Sequence, residues 1–322
     1  MEVTQAGTKR PQGRPPPRYE GKMKKLTLLL MMSLVTTTGP ANEIAFTFDD
    51  APRGDGHIYT GKERTQKIID ELAKENIQAA FFVNPERFNR YGGLARIKAY
   101  ANAGHLIANH THSHPSIKKT SLKAYIEDID RADKLIQQFS TYTKWFRYPF
   151  LHEGDSIEVR DGVRNFLAKA GYKNGYVTVD NYDYFIDDLV QQALEKNEKV
   201  NLDKACDMLV DLLWDGLQFY DSVANKYIGN VRHVLLMHEN DIEALCLSKL
   251  VRHLRAKDWK VVSPTLAFSD PLLKDEPDTL YLNQGRVAAI AHVRSGKKYV
   301  SKWESTAALT TEFERRRIAT KN

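Results

Sequence analysis

Short apolar runs alternate along this chain with segments of amphipathic helical pattern, and this alternation strongly constrains the fold. Seven runs of three to five residues lie at 44–48, 79–83, 105–108, 145–148, 175–179, 234–237 and 260–262. Near-continuous apolar runs of this length are typical of strands buried on both faces of a parallel sheet. We therefore expect a mostly parallel sheet covered by helices.

The segments between these runs predict the helices. They lie at 62–75, 93–103, 121–139, 157–170, 203–227 and 241–257. In 121–139, apolar residues recur at three- and four-residue spacings, and Ser121 is available as an N-cap. Strands separated by helices imply crossover connections, and about seven strands favour an α/β barrel.

Length and composition limit the alternatives. Because α/β barrels reach about 200–250 residues as one unit, the 322 residues need not form two domains. We predict a main domain at 42–270 and a loop-rich extension at 271–322 that packs on it. The content of 42% hydrophobic and 27% charged residues excludes a collagen or a disordered protein. The two cysteines, Cys206 and Cys246, allow at most one disulfide and exclude a four-cysteine zinc site.

The excess of basic over acidic residues is concentrated at the N-terminus of the chain. Residues 1–41 carry seven Lys and Arg against two Glu, which leaves 40 basic and 39 acidic residues in the rest of the chain. Nucleic-acid binders carry a basic patch on the folded part. The charge distribution therefore argues against a nucleic-acid partner.

The region 1–41 predicts an N-terminal extension and a signal peptide. Met23 is followed by two lysines, an apolar stretch at 26–35, and small residues with Gly39 and Ala41 at the −3 and −1 positions of a cleavage site. Ten apolar residues are too few to span a bilayer, although a membrane anchor or a buried helix remains the alternative. Cleavage would leave a mature chain that begins near Asn42, without a membrane span, in the periplasm or outside the cell.

Polar residues that could do chemistry terminate five of the apolar runs. In an α/β barrel, functional residues collect where strands end at the C-terminal face. These residues are Asp49 and Asp50, His110 and His114, Arg147, Asp180 and Asp183, and His238. Carboxylates, two histidines four residues apart, an arginine and a further histidine are the groups that a metal-dependent hydrolase needs.

Five motifs around these residues resemble the polysaccharide deacetylases, the NodB-like carbohydrate esterase family 4. The resemblance covers about residues 43–268, and the motifs occur in family order. They read Thr47-Phe48-Asp49-Asp50, His110-Thr111-His112-Ser113-His114-Pro115, Arg147-Tyr148-Pro149-Phe150, Asp180-Asn181-Tyr182-Asp183-Tyr184 and Leu236-Met237-His238. The resemblance implies a distorted (β/α)7 barrel and metal-dependent removal of N-acetyl groups from amino sugars.

The resemblance also implies a metal site. Asp50, His110 and His114 are the expected ligands, and two imidazoles with one carboxylate leave positions open for water and the acetyl oxygen. Zinc is the expected ion, with cobalt or another divalent ion as the alternative. Because Pro115 follows directly, we expect the two histidines to lie on a loop rather than inside a helix.

The same resemblance implies the catalytic roles. Asp49 would be the base that takes the proton of the water, and Arg147 would orient it. His238 would protonate the departing amine, since imidazole titrates near the operating pH. Asp183 would pair either with Arg147 or with His238.

Contacts to the substrate are expected from three residues. The backbone N–H of Phe150 would complete the oxyanion site, and Tyr148, Phe150 and Tyr184 would contact the sugar. Tyr184 stands where the family usually has Trp, and the stretch at 51–56 replaces the glycine that commonly follows the second aspartate.

The expected partner is an acetylated amino-sugar polymer or oligosaccharide. Two alternatives stay open at this point, because substrate specificity lies in loops. The first is a hydrolase that uses the same metal on a non-sugar amide or an O-acetyl ester. The second is an inactive relative that binds carbohydrate.

Overall fold

The computed structural model describes residues 13–14, 42–281 and 283–321. The chain divides into Met1–Gly39 and Pro40–Asn322, and every element named below lies in the second unit. The predicted signal peptide at 23–41 lies outside the described residues and stays a prediction.

Nine strands form from the described residues, and most of the predicted apolar runs lie within or overlap them. They are β1 (Asn42–Ala51), β2 (Ala80–Val83), β3 (Leu106–Asn109), β4 (Tyr142–Phe146), β5 (Lys173–Asn174), β6 (Lys199–Val200), β7 (His233–His238), β8 (Trp259–Val261) and β9 (Ala319–Thr320).

Seven of these strands form one parallel sheet. The order is β5-β4-β3-β2-β1-β7, and β8 pairs with the first three residues of β1. The short strands β6 and β9 form a separate antiparallel pair. Strand β5 pairs with β4 at one end of the strand order. The chain after β5 continues to Val179, which forms a parallel bridge with Leu235 of β7. One stretch of chain thus links the two ends of the strand order, and the curled sheet confirms the predicted distorted α/β barrel.

Ten α-helices connect and cover the strands among the described residues. They are α1 (Gly61–Lys74), α2 (Gly93–Asn102), α3 (Leu122–Ile136), α4 (Ile157–Lys169), α5 (Asp183–Glu195), α6 (Leu202–Tyr227), α7 (Asp241–Ala256), α8 (Pro264–Ala267), α9 (Arg286–Ser295) and α10 (Thr306–Arg315).

Side-chain caps explain where two of these helices begin. The Ser121 hydroxyl accepts the Ala124 N–H at 3.3 Å, which confirms the predicted cap of α3. At α1, Thr60 and Glu63 form a capping box, in which each side chain accepts the backbone N–H of the other. This capping box fixes the beginning of α1 at the end of the loop that follows β1.

The strand predicted at 175–179 is wrong in its extent. The Gly175 N–H donates to the Phe146 carbonyl of β4, whereas the Thr178 and Val179 N–H groups donate to Val234 of β7. The backbone therefore changes partner within a few residues, and a regular ladder cannot form along it. Only Lys173–Asn174 is a strand here.

The helices α5, α8, α9 and α10 were not predicted, and the extension expected beyond 271 contains two of them, α9 and α10. In α9, the five consecutive residues 287–291 are all buried, so the segment lacks the polar face that a helical pattern needs. This helix packs against α6. The predicted boundaries of the domains at 42–270 and 271–322 stay a prediction.

Cys206 of α6 and Cys246 of α7 form a disulfide, with their Cα atoms 5.2 Å apart. This pairing was left open by the sequence. Within residues 42–281 and 283–321, no helix combines the length and the apolarity that crossing a bilayer requires.

Candidate active site

The register of the sheet brings the predicted site residues together. Asp49, at the end of β1, is paired in the parallel ladder with His238, the last residue of β7. His110 follows β3, and Arg147 follows β4. Because these strands are parallel, their carboxyl ends meet on one side of the sheet.

Asp49 is buried and held by an arginine. The Arg147 Nη1 donates to Asp49 Oδ1 at 2.6 Å, and Arg147 is itself fixed by donating from Nε to the Gly175 carbonyl at 2.6 Å. The other carboxylate oxygen, Oδ2, lies 3.7 Å from His110 Nε2. Arg147 therefore orients Asp49 and leaves Oδ2 on the side of the histidines.

Asp50, His110 and His114 form a cluster that could hold a metal ion, since their ligand atoms lie within 4.8 Å of one another. Asp50 Oδ1 is 3.4 Å from His114 Nε2 and 3.8 Å from His110 Nε2. The His110 Nδ1 lies 2.9 Å from the Arg147 carbonyl, which fixes the ring and turns Nε2 towards Asp50. Such support of the second ring nitrogen is typical of metal-binding histidines.

The chemistry of the three groups fits a cation. Asp50 Oδ1 is buried and has no hydrogen-bond partner among the described residues. Burial opposes ionisation of Asp50, but His114, His238 and His110 hold its pKa well below the usual value. Burial lowers the pKa of His114 to about 4, which favours the neutral imidazole that binds metal. An ionised carboxylate without a partner beside two histidines is therefore a suitable set of ligands.

Asp183 pairs with His238 and not with Arg147. The His238 Nδ1 lies 2.6 Å from Asp183 Oδ1, and Asp183 Oδ2 also accepts the backbone N–H of His238 at 2.8 Å. Burial favours the neutral ring, but the Asp183 carboxylate outweighs it and the pKa of His238 rises to about 9. The imidazolium is therefore the main form at neutral pH, with Nε2 free for a proton transfer.

Several residues at the site adopt left-handed backbone conformations, which residues other than glycine rarely take. They include Asp50 with φ of 66°, His114 with φ of 56° and Phe150 with φ of 58°. Such conformations are energetically unfavourable and cluster at functional sites. The two histidines lie in an irregular loop, as expected from Pro115.

The site opens into a cavity of about 260 Å³. Phe150 and Tyr184 line it, together with Asp49, Asp50, His110, His114 and His238. The Tyr184 ring lies with its centroid 5.5 Å from that of His238. Tyr148 does not line this cavity. Its ring packs against Phe146 in a buried apolar cluster, so a sugar contact by Tyr148 is not supported.

Other lining residues were given no role from the sequence. They are Arg53, Leu151, Asp180, Asn181, Tyr182, Leu236 and Asn283. Asp180 was recognised at a strand end without a role, and Asn181 lies in the same motif. Asn283 comes from the C-terminal segment, where no motif marks it. Arg53 lies in the stretch that differs from the usual family pattern.

Comparison with known proteins gives one family. Residues 36–175 match the polysaccharide deacetylase family. A peptidoglycan-N-acetylglucosamine deacetylase of Bacillus cereus is 34% identical over 116 residues, which is 35% of this chain and 38% of the relative. A chitin deacetylase of Colletotrichum lindemuthianum is 25% identical over 230 residues, which is 68% of this chain and 77% of the relative. For several curated relatives, the match spans less than two fifths of their length.

Solved structures resemble the fold of this chain. The structure of the Colletotrichum lindemuthianum chitin deacetylase has a TM-score of 0.50 at 19% identity, and the match covers 76% of this chain and 92% of that one. A mutant of a carbohydrate esterase family 4 pseudoenzyme also has a TM-score of 0.50 at 19% identity, covering 71% and 68%. The sequence match over residues 36–175 confirms the resemblance to the polysaccharide deacetylase family, and the curled parallel sheet carries the motifs of that resemblance at its strand ends.

Proposed function

We propose that this protein is a metal-dependent hydrolase that removes N-acetyl groups from an amino-sugar polymer or oligosaccharide. One observation carries the proposal: a cluster that could hold a cation, a carboxylate fixed by an arginine, and a histidine paired with a second carboxylate line the same cavity. Its curated relatives include deacetylases of peptidoglycan, chitin and chitooligosaccharide.

Asp50, His110 and His114 would hold the divalent ion. When bound, that ion supplies Lewis acidity for an activated water and for the acetyl oxygen. The unpartnered Asp50 Oδ1 supports this assignment, because an ionised buried oxygen without a partner is otherwise costly. Two nitrogens and one oxygen suit zinc as well as cobalt.

Asp49 would act as the general base. Its Oδ1 is occupied by Arg147, so Oδ2 is the atom that accepts the proton of the attacking water. Arg147 keeps the carboxylate in one orientation throughout. Both groups are buried, so the contact between them is shielded from bulk water.

His238 would act as the general acid. Its Nδ1 faces Asp183, so Nε2 holds the proton that the departing amine needs. Asp183 does not line the cavity and acts only through His238, which makes it a positioning residue. The backbone N–H of Phe150 would donate to the developing oxyanion, and the Tyr184 ring would form a wall for the acetyl group.

Acetate release tests the proposal. The protein loaded with zinc is incubated with N-acetylglucosamine oligomers, with an O-acetylated oligosaccharide and with an N-acetylated amino acid. We expect release from the oligomers to be the fastest by far. Release only from the ester or from the amino acid would favour a different hydrolase, and binding without release would favour an inactive relative.

We also propose that the chain is exported. The disulfide between Cys206 and Cys246 supports this, because structural disulfides persist in oxidising compartments outside the cytoplasm. Sequencing the N-terminus of the protein secreted by its host tests the prediction. A mature chain that begins near Asn42 is the expected result, and an intact 23–41 segment on a cytoplasmic protein contradicts it.

A further inference from the structure

Arg53 is a cationic residue of the cavity that the proposed mechanism does not use. It lines the same cavity as Asp50, His238 and Tyr184. Its Nη1 is buried and has no hydrogen-bond partner among the described residues. Buried polar groups are nearly always paired, and each exception requires a reason such as a missing ligand. The guanidinium of this cavity-lining residue therefore has an N–H group that the described residues leave unsatisfied.

The backbone of Arg53 is held by buried charged side chains. Its N–H donates to Glu239 Oε2 at 2.7 Å, and its carbonyl accepts from Arg96 Nη1 at 2.7 Å and from Arg64 Nη2 at 3.0 Å. Glu239, Arg96 and Arg64 are each at most 4% exposed. Three separate elements thus fix the backbone of Arg53 in place, which reduces the backbone entropy that the residue loses on binding a ligand.

The anionic groups around Arg53 already have other roles. Asp50 belongs to the proposed metal site. Asp187 of α5 is a possible structural partner, but its Oδ1 accepts the Ile242 N–H at 3.0 Å and Gln191 Nε2 at 3.3 Å. Among the described residues, no carboxylate oxygen accepts a hydrogen bond from Arg53 Nη1. Asp50 and Asp187 attract the Arg53 charge electrostatically, without a direct bond to this nitrogen.

We propose that Arg53 is a substrate-binding residue that selects amino-sugar chains carrying a carboxylate. The planar guanidinium offers N–H groups in a fork that matches a carboxylate, and the charge adds strength to both bonds. This inference rests on the proposed function, since it concerns the substrate of the same cavity. A carboxylate on a sugar chain can come from a lactyl ether, as in N-acetylmuramic acid, or from a uronic acid.

Binding measured by calorimetry tests this role without relying on turnover. The zinc-loaded protein is titrated with three oligosaccharides of equal length. The first contains only N-acetylglucosamine, the second alternates it with N-acetylmuramic acid, and the third alternates it with glucuronic acid. We expect at least one of the two carboxylate-bearing oligomers to bind more tightly than the neutral one, and that oligomer identifies the source.

The variant R53Q should lose this preference. Affinity for the preferred carboxylate-bearing oligomer should fall about tenfold to a hundredfold, because a hydrogen bond to a charged group is lost. Affinity for the neutral oligomer should stay within about twofold, which also shows that the variant is folded. The affinity of R53K for the carboxylate-bearing oligomer should lie between those of the wild type and R53Q, since lysine keeps the charge but lacks the forked guanidinium. The exposed Arg90 does not line the cavity, so R90Q is the control for loss of one charge.

Two results would overturn the inference. One is equal binding of the neutral and carboxylate-bearing oligomers by the wild-type protein, including no binding of any. The other is an equal loss of affinity for all three oligosaccharides in R53Q. A preference that depends on Arg53, in a protein that releases no acetate, would instead support the binding role and refute the proposed deacetylation.

Discussion

The two adjacent aspartates of β1 differ in their contacts. Asp49 has one oxygen bonded to Arg147, whereas Asp50 has an unpartnered oxygen beside two histidines. Neighbouring side chains on a strand normally point to opposite faces. The left-handed backbone at Asp50 turns the chain, and both carboxylates can then serve one site.

Exchanging each aspartate for asparagine should separate the two roles. Asp50→Asn removes a charged ligand, so we expect a large loss of bound metal and of activity. Asp49→Asn cannot accept a proton, so it should keep its metal while turnover falls by about a hundredfold to ten-thousandfold. Metal content and acetate release are measured on both variants together. Metal loss in Asp49→Asn with retention in Asp50→Asn would reverse the assignment.

The contact between Asp183 and His238 predicts a pH effect. A general acid works in its protonated form, so activity should fall as the pH rises through the pKa of His238, which is about 9. In Asp183→Asn the carboxylate that raises this pKa is absent. The alkaline limb of the kcat profile should therefore move to lower pH by about 1–3 units.

The control for that measurement is Asp203→Asn, which removes one charge at an exposed position of α6. Its pH profile should match that of the wild type. If the alkaline limb of Asp183→Asn lies at the same pH as that of the wild type, a group other than His238 causes it.

At the scale of elements, a group of buried charges connects α1, α2 and the loop after β7. The Glu239 carboxylate accepts two hydrogen bonds from Arg96 Nη2, at 2.6 and 2.8 Å, and one from the Tyr100 hydroxyl at 2.9 Å. Asp241 pairs with Arg64 at 2.7 Å. Both pairs are buried, so neither partner can be hydrated if the other is removed.

Glu239→Gln should therefore destabilise the fold strongly. It leaves Arg96 charged and without a counterion in the interior, and breaking a buried pair in this way costs about 3–5 kcal/mol. Urea unfolding measures the loss. Glu127→Gln is the control, because Glu127 is 64% exposed and its ion pair with Lys123 should contribute less than about 1 kcal/mol. Equal stability of the two variants would contradict this account.

The sequence predicted elements best where a local pattern exists. Helix α3 has a clear apolar stripe and a cap, and both were recognised. Helix α9 is buried along five consecutive residues and shows no such stripe. The charged group around Glu239 joins residues as far apart as 177 positions in the chain, and no local spacing signals it. The motifs at strand ends were found because the chemistry of each is carried by neighbouring residues.

At the scale of the whole molecule, the C-terminal segment completes the barrel and the cavity. The Arg286 N–H donates to the Val177 carbonyl at 2.7 Å, where the sheet passes from β4 to β7. Asn283 of the same segment lines the cavity. This segment thus contributes to the surroundings of the site, although only a weak pattern marks it in the sequence.

A glycine marks the close approach of this segment. A Cβ at Gly285 would lie 2.7 Å from the Val177 carbonyl oxygen, so Gly285→Ala must displace one of the two backbones. We expect a loss of about 1–3 kcal/mol, measured by urea unfolding. The same substitution at Gly216 in α6 meets no atom closer than 3.9 Å and should leave stability unchanged or raise it by up to about 1 kcal/mol. Similar effects at the two sites would contradict the close contact.

The central claim is that one bound divalent ion at Asp50, His110 and His114 makes this protein a deacetylase. The most direct test is acetate release from N-acetylglucosamine oligomers as zinc is titrated into protein stripped of metal. We predict no release without metal and a rise that ends at one ion per chain, because the ion supplies Lewis acidity that no side chain replaces. Full release by the metal-free protein would contradict the claim.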